Sequence, residues 1–220
     1  MSLTLHFHPL ASFCWKALIA LYENDTPFEP LVVDLGDETS RAAFFRLWPL
    51  GKFPVLEDKA RGVVVPESTI IIEYLAAHYP GPADLASSGD LARRIRLADR
   101  LYDSYLHEPM QKVVADRLRP EDRRDPLGVE QARAQIRASY AMIEQEMAGR
   151  TWAMGETFSM ADCAAFPALF YADKVEPLGD ERGNAAAYLK RLRQRPSIDR
   201  VVREARPYFH LFPFHDGHDE

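Results

Sequence analysis

Three short segments of this chain carry side chains whose types and spacing could do chemistry. The first is HPLASFCWKALIALYE, residues 8–23. A β-prone alternating stretch, LTLHF, precedes it, and an amphipathic helical pattern begins just after Ser12. Ser12 and Cys14 therefore stand where a strand turns into a helix N-terminus, a place that favours negative charge because unpaired N–H groups and the helix dipole meet there. The second segment is FPVL, with Pro54 heading a predicted strand. Proline costs a strand one ladder hydrogen bond, so two readings are open: a trans proline starting an edge strand, or a cis Phe53–Pro54 bond that turns the backbone groups of Phe53 outward to a ligand. The third is PEST, residues 66–69. Ser68 is placed to cap the following helix, or to offer its hydroxyl and the helix N-terminus to a carboxylate, while Glu67 suits an ammonium. Glu67 and Ser68 together fit an α-amino acid head group; taken alone they also fit a plain cap beside a solvated glutamate.

Other reactive side chains have structural readings. In FSMADCAAF (158–166), Ser159 and Asp162 form an S-x-x-D capping box, with Phe158 placed to staple onto Cys163, itself a core residue. Cys14 shares a helical face with Ala17, Leu18 and Leu21, and a thiol buried on such a face is inert. His6 and His8 at i, i+2 make no metal site. The tail HDGHDE (215–220) reads as a polar terminus, and the aromatic run PYFHLFPF (207–214) needs apolar cover.

The elements that must position these residues fall into two textures. Strand and helix patterns alternate over residues 1–79 in the order β-α-β-α-β-β-α, the signature of an α/β domain. Residues 80–89, rich in Pro, Gly, Ser and Asp, read as a linker. From residue 90 to 220 the periodicity is helical throughout, with Pro109 expected to kink the first long helix.

Composition narrows the function. Hydrophobic residues make up 47% of the 220 and charged residues 27%, an ordinary globular balance. A net charge of −6 with no Lys/Arg run argues against nucleic acid as ligand. No apolar run approaches the roughly 20 residues of a membrane span, so no membrane partner is expected. No charged-then-apolar leader opens the sequence, and the two distant cysteines suggest neither a disulfide framework nor a metal site. A cytoplasmic protein is expected.

The combination resembles the cytosolic glutathione transferase family over nearly the whole chain. The residues that carry the resemblance are WPLGKFPVLED, PESTIIIEYL and FSMADCAAFPAL, in the family's order and near its spacings. The fit is closest to the zeta- and theta-like bacterial branch, through ASFCWKALIAL. The resemblance implies a thioredoxin-like N-terminal domain and an all-helical C-terminal domain that forms the second-substrate pocket. It implies that Pro54 is cis and that the Phe53 backbone pairs with the cysteinyl part of glutathione. Glu67 and Ser68 would take the γ-glutamyl end, and Lys52 the glycine carboxylate. Glutathione would be a co-substrate with no further cofactor, the partner a small electrophile, the assembly a homodimer, and the role detoxification. Leu10, Tyr105, Met110 and Phe209 are the candidates for the second-substrate pocket.

The anion at the opening turn would then be the glutathione thiolate. A free thiol has a pKa near 8.5, and lowering it by about two units requires roughly 2.7 kcal/mol of preferential thiolate stabilisation. The family's activating serine or cysteine usually lies four residues before the position of Trp15, and that position is Ala11. Either the turn shifts so that Ser12 donates to sulfur, the expectation adopted here, or backbone N–H groups do the work. A mixed disulfide at Cys14, as in cysteine-type members, is the other open chemistry. Two rival functions stand beside this one, the first kept open by Ala11 and the second weakened by it. One is a non-catalytic binder of glutathione or hydrophobic ligands. The other is a glutathione-dependent isomerase, whose serine pair would here lack its first member.

Overall fold

The computed structural model describes residues 2–215, so all but the first residue of the HDGHDE tail lies outside the described residues. The chain divides into two compact units, Met1–Ala86 and Ser87–Glu220.

The first unit is built on a four-stranded mixed sheet in the order β2-β1-β3-β4. Its strands are β1 (Leu3–Phe7), β2 (Glu29–Val32), β3 (Val55–Asp58) and β4 (Val63–Pro66). Strand β2 runs parallel to β1, β3 antiparallel to β1, and β4 antiparallel to β3. Helices α1 (Ser12–Glu23), α2 (Glu38–Leu47) and α3 (Ser68–His78) complete the thioredoxin-like arrangement. Helix α1 departs from the amphipathic expectation, because every residue from Cys14 to Leu21 is buried. The apolar stripe is wider than the periodicity suggested because α1 also packs on α3. Even Lys16 is fully buried, its Nζ donating to Thr69 Oγ1 of α3 at 2.8 Å. At the far end of β3, buried Asp58 accepts from the Tyr74 and Tyr79 hydroxyls at 2.8 and 2.5 Å. The Pro/Gly-rich segment that follows α3 lies close to the end of α1: the Asn24 side chain accepts from Ala83 N at 2.9 Å, and a Cβ on Gly81 would meet Asn24 at 2.5 Å.

The second unit is helical among its described residues: α4 (Gly89–Arg100), a π-helical stretch (Leu101–His107), α5 (Glu108–Arg117), α6 (Pro126–Glu146), α7 (Met160–Val175), α8 (Gly183–Arg193) and α9 (Pro196–Ala205). The irregularity expected at Pro109 is this π-helical stretch just ahead of it. Proline has no N–H to offer the carbonyl four residues back, that of Tyr105. Ser139 Oγ on α6 donates to that carbonyl instead, at 2.7 Å. The capping box at the start of α7 is present, with Ser159 N donating to Asp162 at 2.9 Å. Cys163 is buried. The aromatic run after α9 folds onto α7, with Phe209 stacked on Phe170 at 6.0 Å and Phe212 tilted against Tyr171 at 5.1 Å.

Candidate functional site

Strand register gathers the three chemistry-bearing segments at one end of the sheet. Val55 at the start of β3 lies opposite His6 near the end of β1 and opposite Pro66 at the end of β4. The turn that follows β1, the Phe53–Pro54 pair that precedes β3, and the Glu67–Ser68 pair that follows β4 therefore all leave the sheet at the same edge. Asp34 reaches that edge as well, since Phe7 pairs with Val32 and its carbonyl accepts from Val33 N at 2.8 Å. Helices α1 and α3 both begin there, and two helix N-termini at one edge make it an anion-favouring place.

At the first turn, Ala11 and not Ser12 is the N-cap of α1. Its carbonyl accepts from Cys14 N and Trp15 N at 2.8 and 3.1 Å, and it has no side chain to cap with. Ser12 is the first helical residue and only 2% exposed. Cys14 is fully buried, and burial pushes its thiol far above the usual range, against a weaker opposing hydrogen bond from the His8 backbone. A thiol so protonated is no nucleophile, so the inert-core reading of Cys14 holds.

Sequence reasoning set His8 aside, yet it organises this turn. Its carbonyl accepts from Ala11 N at 3.0 Å and its Nδ1 from Leu10 N at 3.2 Å. Its ring stacks on Phe53, with centroids 6.0 Å apart and planes at 21°. Burial lowers the His8 pKa, the charge of Asp34 opposing it. The signal for His8 was its position one residue past a strand end, which gains meaning only once register brings Phe53 alongside.

At the second segment the Phe53–Pro54 bond is cis. Phe53 packs against the cluster of Val33, Phe44 and Val55, as does Trp48, whose buried indole N–H has no acceptor among the described residues. The turn leading to exposed Lys52 depends on Gly51, which has φ +62° and would bring a Cβ within 2.4 Å of the Phe45 ring.

At the third segment, Glu67 and not Ser68 is the N-cap of α3, and it makes no side-chain capping bond. Glu67 holds φ 70° and ψ 120°, a region that L-residues avoid at a cost of order 1–3 kcal/mol, and such outliers concentrate at ligand clamps. Its side chain is exposed, while Ser68 is buried at the first helical position. Leu10 lies in the turn with His8 and is half-buried. In the second unit, Tyr105 is 52% exposed, whereas Met110 and Phe209 are interior side chains. Among the described residues no group of three or more His, Cys, Asp or Glu could hold a metal ion, and no helix is long and apolar enough to cross a membrane.

Comparison with known proteins agrees with this architecture. Residues 5–83 match the family model of the glutathione S-transferase N-terminal domain, and residues 126–192 that of the C-terminal domain. The chain is 27% identical to the glutathione S-transferase GstB of Escherichia coli K12 over 194 residues, 85% of this chain and 91% of GstB. A glutathione S-transferase structure from Methylobacillus flagellatus KT with glutathione bound superposes with a TM-score of 0.83 at 24% identity, covering 91% of this chain and 98% of that one. One from Methylobacterium radiotolerans JCM 2831, in complex with glutathione sulfonate, gives 0.79 at 28% identity, covering 90% and 93%.

Proposed function

The chain belongs to the cytosolic glutathione transferase family, and from that premise we propose how it binds and activates glutathione. The observation that carries the reading is the convergence of the β1–α1 turn, Phe53–Pro54 and Glu67–Ser68 on one sheet edge. Glutathione lies along that edge. Its γ-glutamyl ammonium meets the Glu67 carboxylate, and its α-carboxylate meets Ser68 and the start of α3. The cysteinyl backbone pairs with Phe53 in the manner of an added strand. The glycine carboxylate meets Lys52.

This placement sends the sulfur toward the β1–α1 turn, where Ser12 and the first turn of α1 stand. The enzyme holds the sulfur as thiolate and positions it for attack on an electrophilic carbon. The second substrate is a small electrophile, in keeping with a detoxifying role in the cytoplasm. The assembly is a homodimer, which would cover the exposed apolar Val63 and Val64 of edge strand β4 and Ile70 of α3. Sedimentation of the purified protein as a monomer would refute that assembly.

The functional reading is tested by titrating the ultraviolet thiolate absorbance of bound glutathione and by conjugation to an aryl halide. A bound thiol that ionises well below its free pKa, with conjugation, is expected. Binding with no lowered pKa and no conjugation would make this a glutathione-binding protein instead.

A further inference from the structure

We propose that Lys16 and Thr69 are positioning residues: the hydrogen bond between them sets the spacing of the two helix heads, α1 and α3, that one glutathione spans. The inference rests on the glutathione reading above and names what fixes the distance between the sulfur end of that site and its γ-glutamyl end.

Lysine is out of character on α1. The other residues from Cys14 to Leu21 are Cys, Trp, Ala, Leu, Ile, Ala and Leu, all buried, and apolar packing alone would be served by Leu or Met at position 16. Burying a lysine immobilises a long side chain and strips water from its head, so the residue must supply something that apolar packing does not. What it supplies is direction. The apolar contact between α1 and α3 is non-directional, whereas Lys16 Nζ donates to Thr69 Oγ1 at 2.8 Å, and a hydrogen bond of that length admits one register.

The bond joins the two helices at their heads. Ser12 opens α1, and Lys16 follows four residues later on the same face. Thr69 directly follows Ser68, the first residue of α3. The turn ahead of α1 is held to the same helix by Trp15, whose Nε1 donates to the Pro9 carbonyl at 2.5 Å. Trp15 and Lys16, both fully buried, therefore brace α1 on two sides, one toward the β1–α1 turn and the other toward the head of α3. The covalent chain between the α-carboxylate and the sulfur of glutathione limits its reach, so it engages both heads only at a matching spacing. A misplacement of about 1 Å in such an arrangement can cost about 100-fold.

Three substitutions separate this role from a structural one. Thr69→Val removes the hydroxyl at nearly constant shape, Thr69→Ser keeps it, and Lys16→Met removes the donor while keeping an unbranched side chain. Thr69→Val and Lys16→Met are each expected to raise the calorimetric Kd for glutathione about tenfold. Each should also raise the pKa of the bound thiol by about one unit, read from its thiolate absorbance below the melting transition, because the sulfur no longer seats at the head of α1. Thr69→Ser should stay within about twofold of wild type in Kd and close to it in thiol pKa. Both losses come from one bond, so the double variant Lys16→Met/Thr69→Val should bind glutathione no more weakly than the weaker single variant. A lower melting temperature in Thr69→Val, with Kd and thiol pKa as in wild type, makes the bond merely structural and overturns the inference. Losses of affinity that multiply in the double variant overturn it as well, since they would mark two independent contacts. Wild type that does not bind glutathione overturns the reading on which the inference rests; wild type that binds, with variants that bind equally well, overturns the inference alone.

Discussion

The helical unit should fail structurally, and not chemically, when Asp162 is changed. Asp162 is fully buried and accepts four hydrogen bonds. Oδ1 takes Ala153 N at 2.8 Å and the Tyr188 hydroxyl at 2.6 Å; Oδ2 takes Ser159 N at 2.9 Å and Ser159 Oγ at 3.1 Å. In Asp162→Asn the amide nitrogen must replace one oxygen. Whichever it replaces, it faces a backbone N–H that can only donate. Ser159 Oγ and the Tyr188 hydroxyl can turn to accept; Ser159 N and Ala153 N cannot. One buried N–H is thus left unsatisfied, at about 1–3 kcal/mol. Asp162→Ala strands both backbone donors and the tyrosine hydroxyl, which together should cost roughly 3–9 kcal/mol, a large share of the 5–15 kcal/mol that keeps a typical domain folded. For a chain of this size each 1 kcal/mol moves the melting temperature by about 2–4 °C. The Asn variant is therefore expected to melt some 2–12 °C lower, with KM for glutathione unchanged below its transition. Thermal unfolding and hydrogen exchange at the Ala153 amide provide the assay. An Asn variant within about 0.5 kcal/mol of wild type, with its Ala153 amide still protected, would refute the reasoning.

Three further outcomes are expected. Ser68→Ala should raise KM for glutathione about tenfold or more with kcat nearly unchanged, since a hydrogen bond to a charged group is worth about 1.5–3 kcal/mol; steady-state kinetics decide it, and an equal fall in kcat alone would contradict the binding role. Glu67→Gly should relieve the backbone at φ 70° and raise stability by about 1 kcal/mol while weakening glutathione binding; chemical denaturation and calorimetry would show the two moving in opposite directions. Glu176 is partly buried, which favours its acid form, but ion pairs with Arg133 and Arg137 at 2.8 and 3.0 Å outweigh this and leave its pKa lowered. Its contribution to stability is therefore fully present above the unfolded carboxylate pKa near 4.3 and lost as pH falls through the lower folded value, so Glu176→Gln should flatten the acid limb of the stability curve.

Local signals in the sequence were enough to read most elements. Helix α3 begins after Pro66 and ends before the YPGP breaker, and the S-x-x-D box sits at the head of α7 as its spacing required. What stayed hidden depends on neighbours distant in sequence. Ser12 and Ser68 both look like N-caps, yet each is the first residue inside its helix, because the strand before it delivers Ala11 or Glu67 to the capping position. Lys16 has the type and spacing of a solvated residue and is buried because α3 lies over it. Ahead of Pro109 stands a π-helical stretch, where Ser139, some thirty positions later, supplies the donor that proline lacks. His8 was passed over because periodicity shows where a strand ends but not which loop its last side chain will face.

The loss of the side chain at position 11 and the survival of the rest of the cradle have a common physical origin. The edge proposed to receive glutathione is defined by where β1, β3 and β4 end, and those ends are held by sheet register and not by Ala11. Three separate segments each bring their own contribution: the orientation of Phe53, the strained backbone of Glu67 beside Ser68, and the turn from His8 to Ser12. Removing one hydroxyl at position 11 leaves the bonds that align these segments intact. It removes only the donor to sulfur. A replacement donor must come from a group that the register already brings to that edge, as it does the first turn of α1.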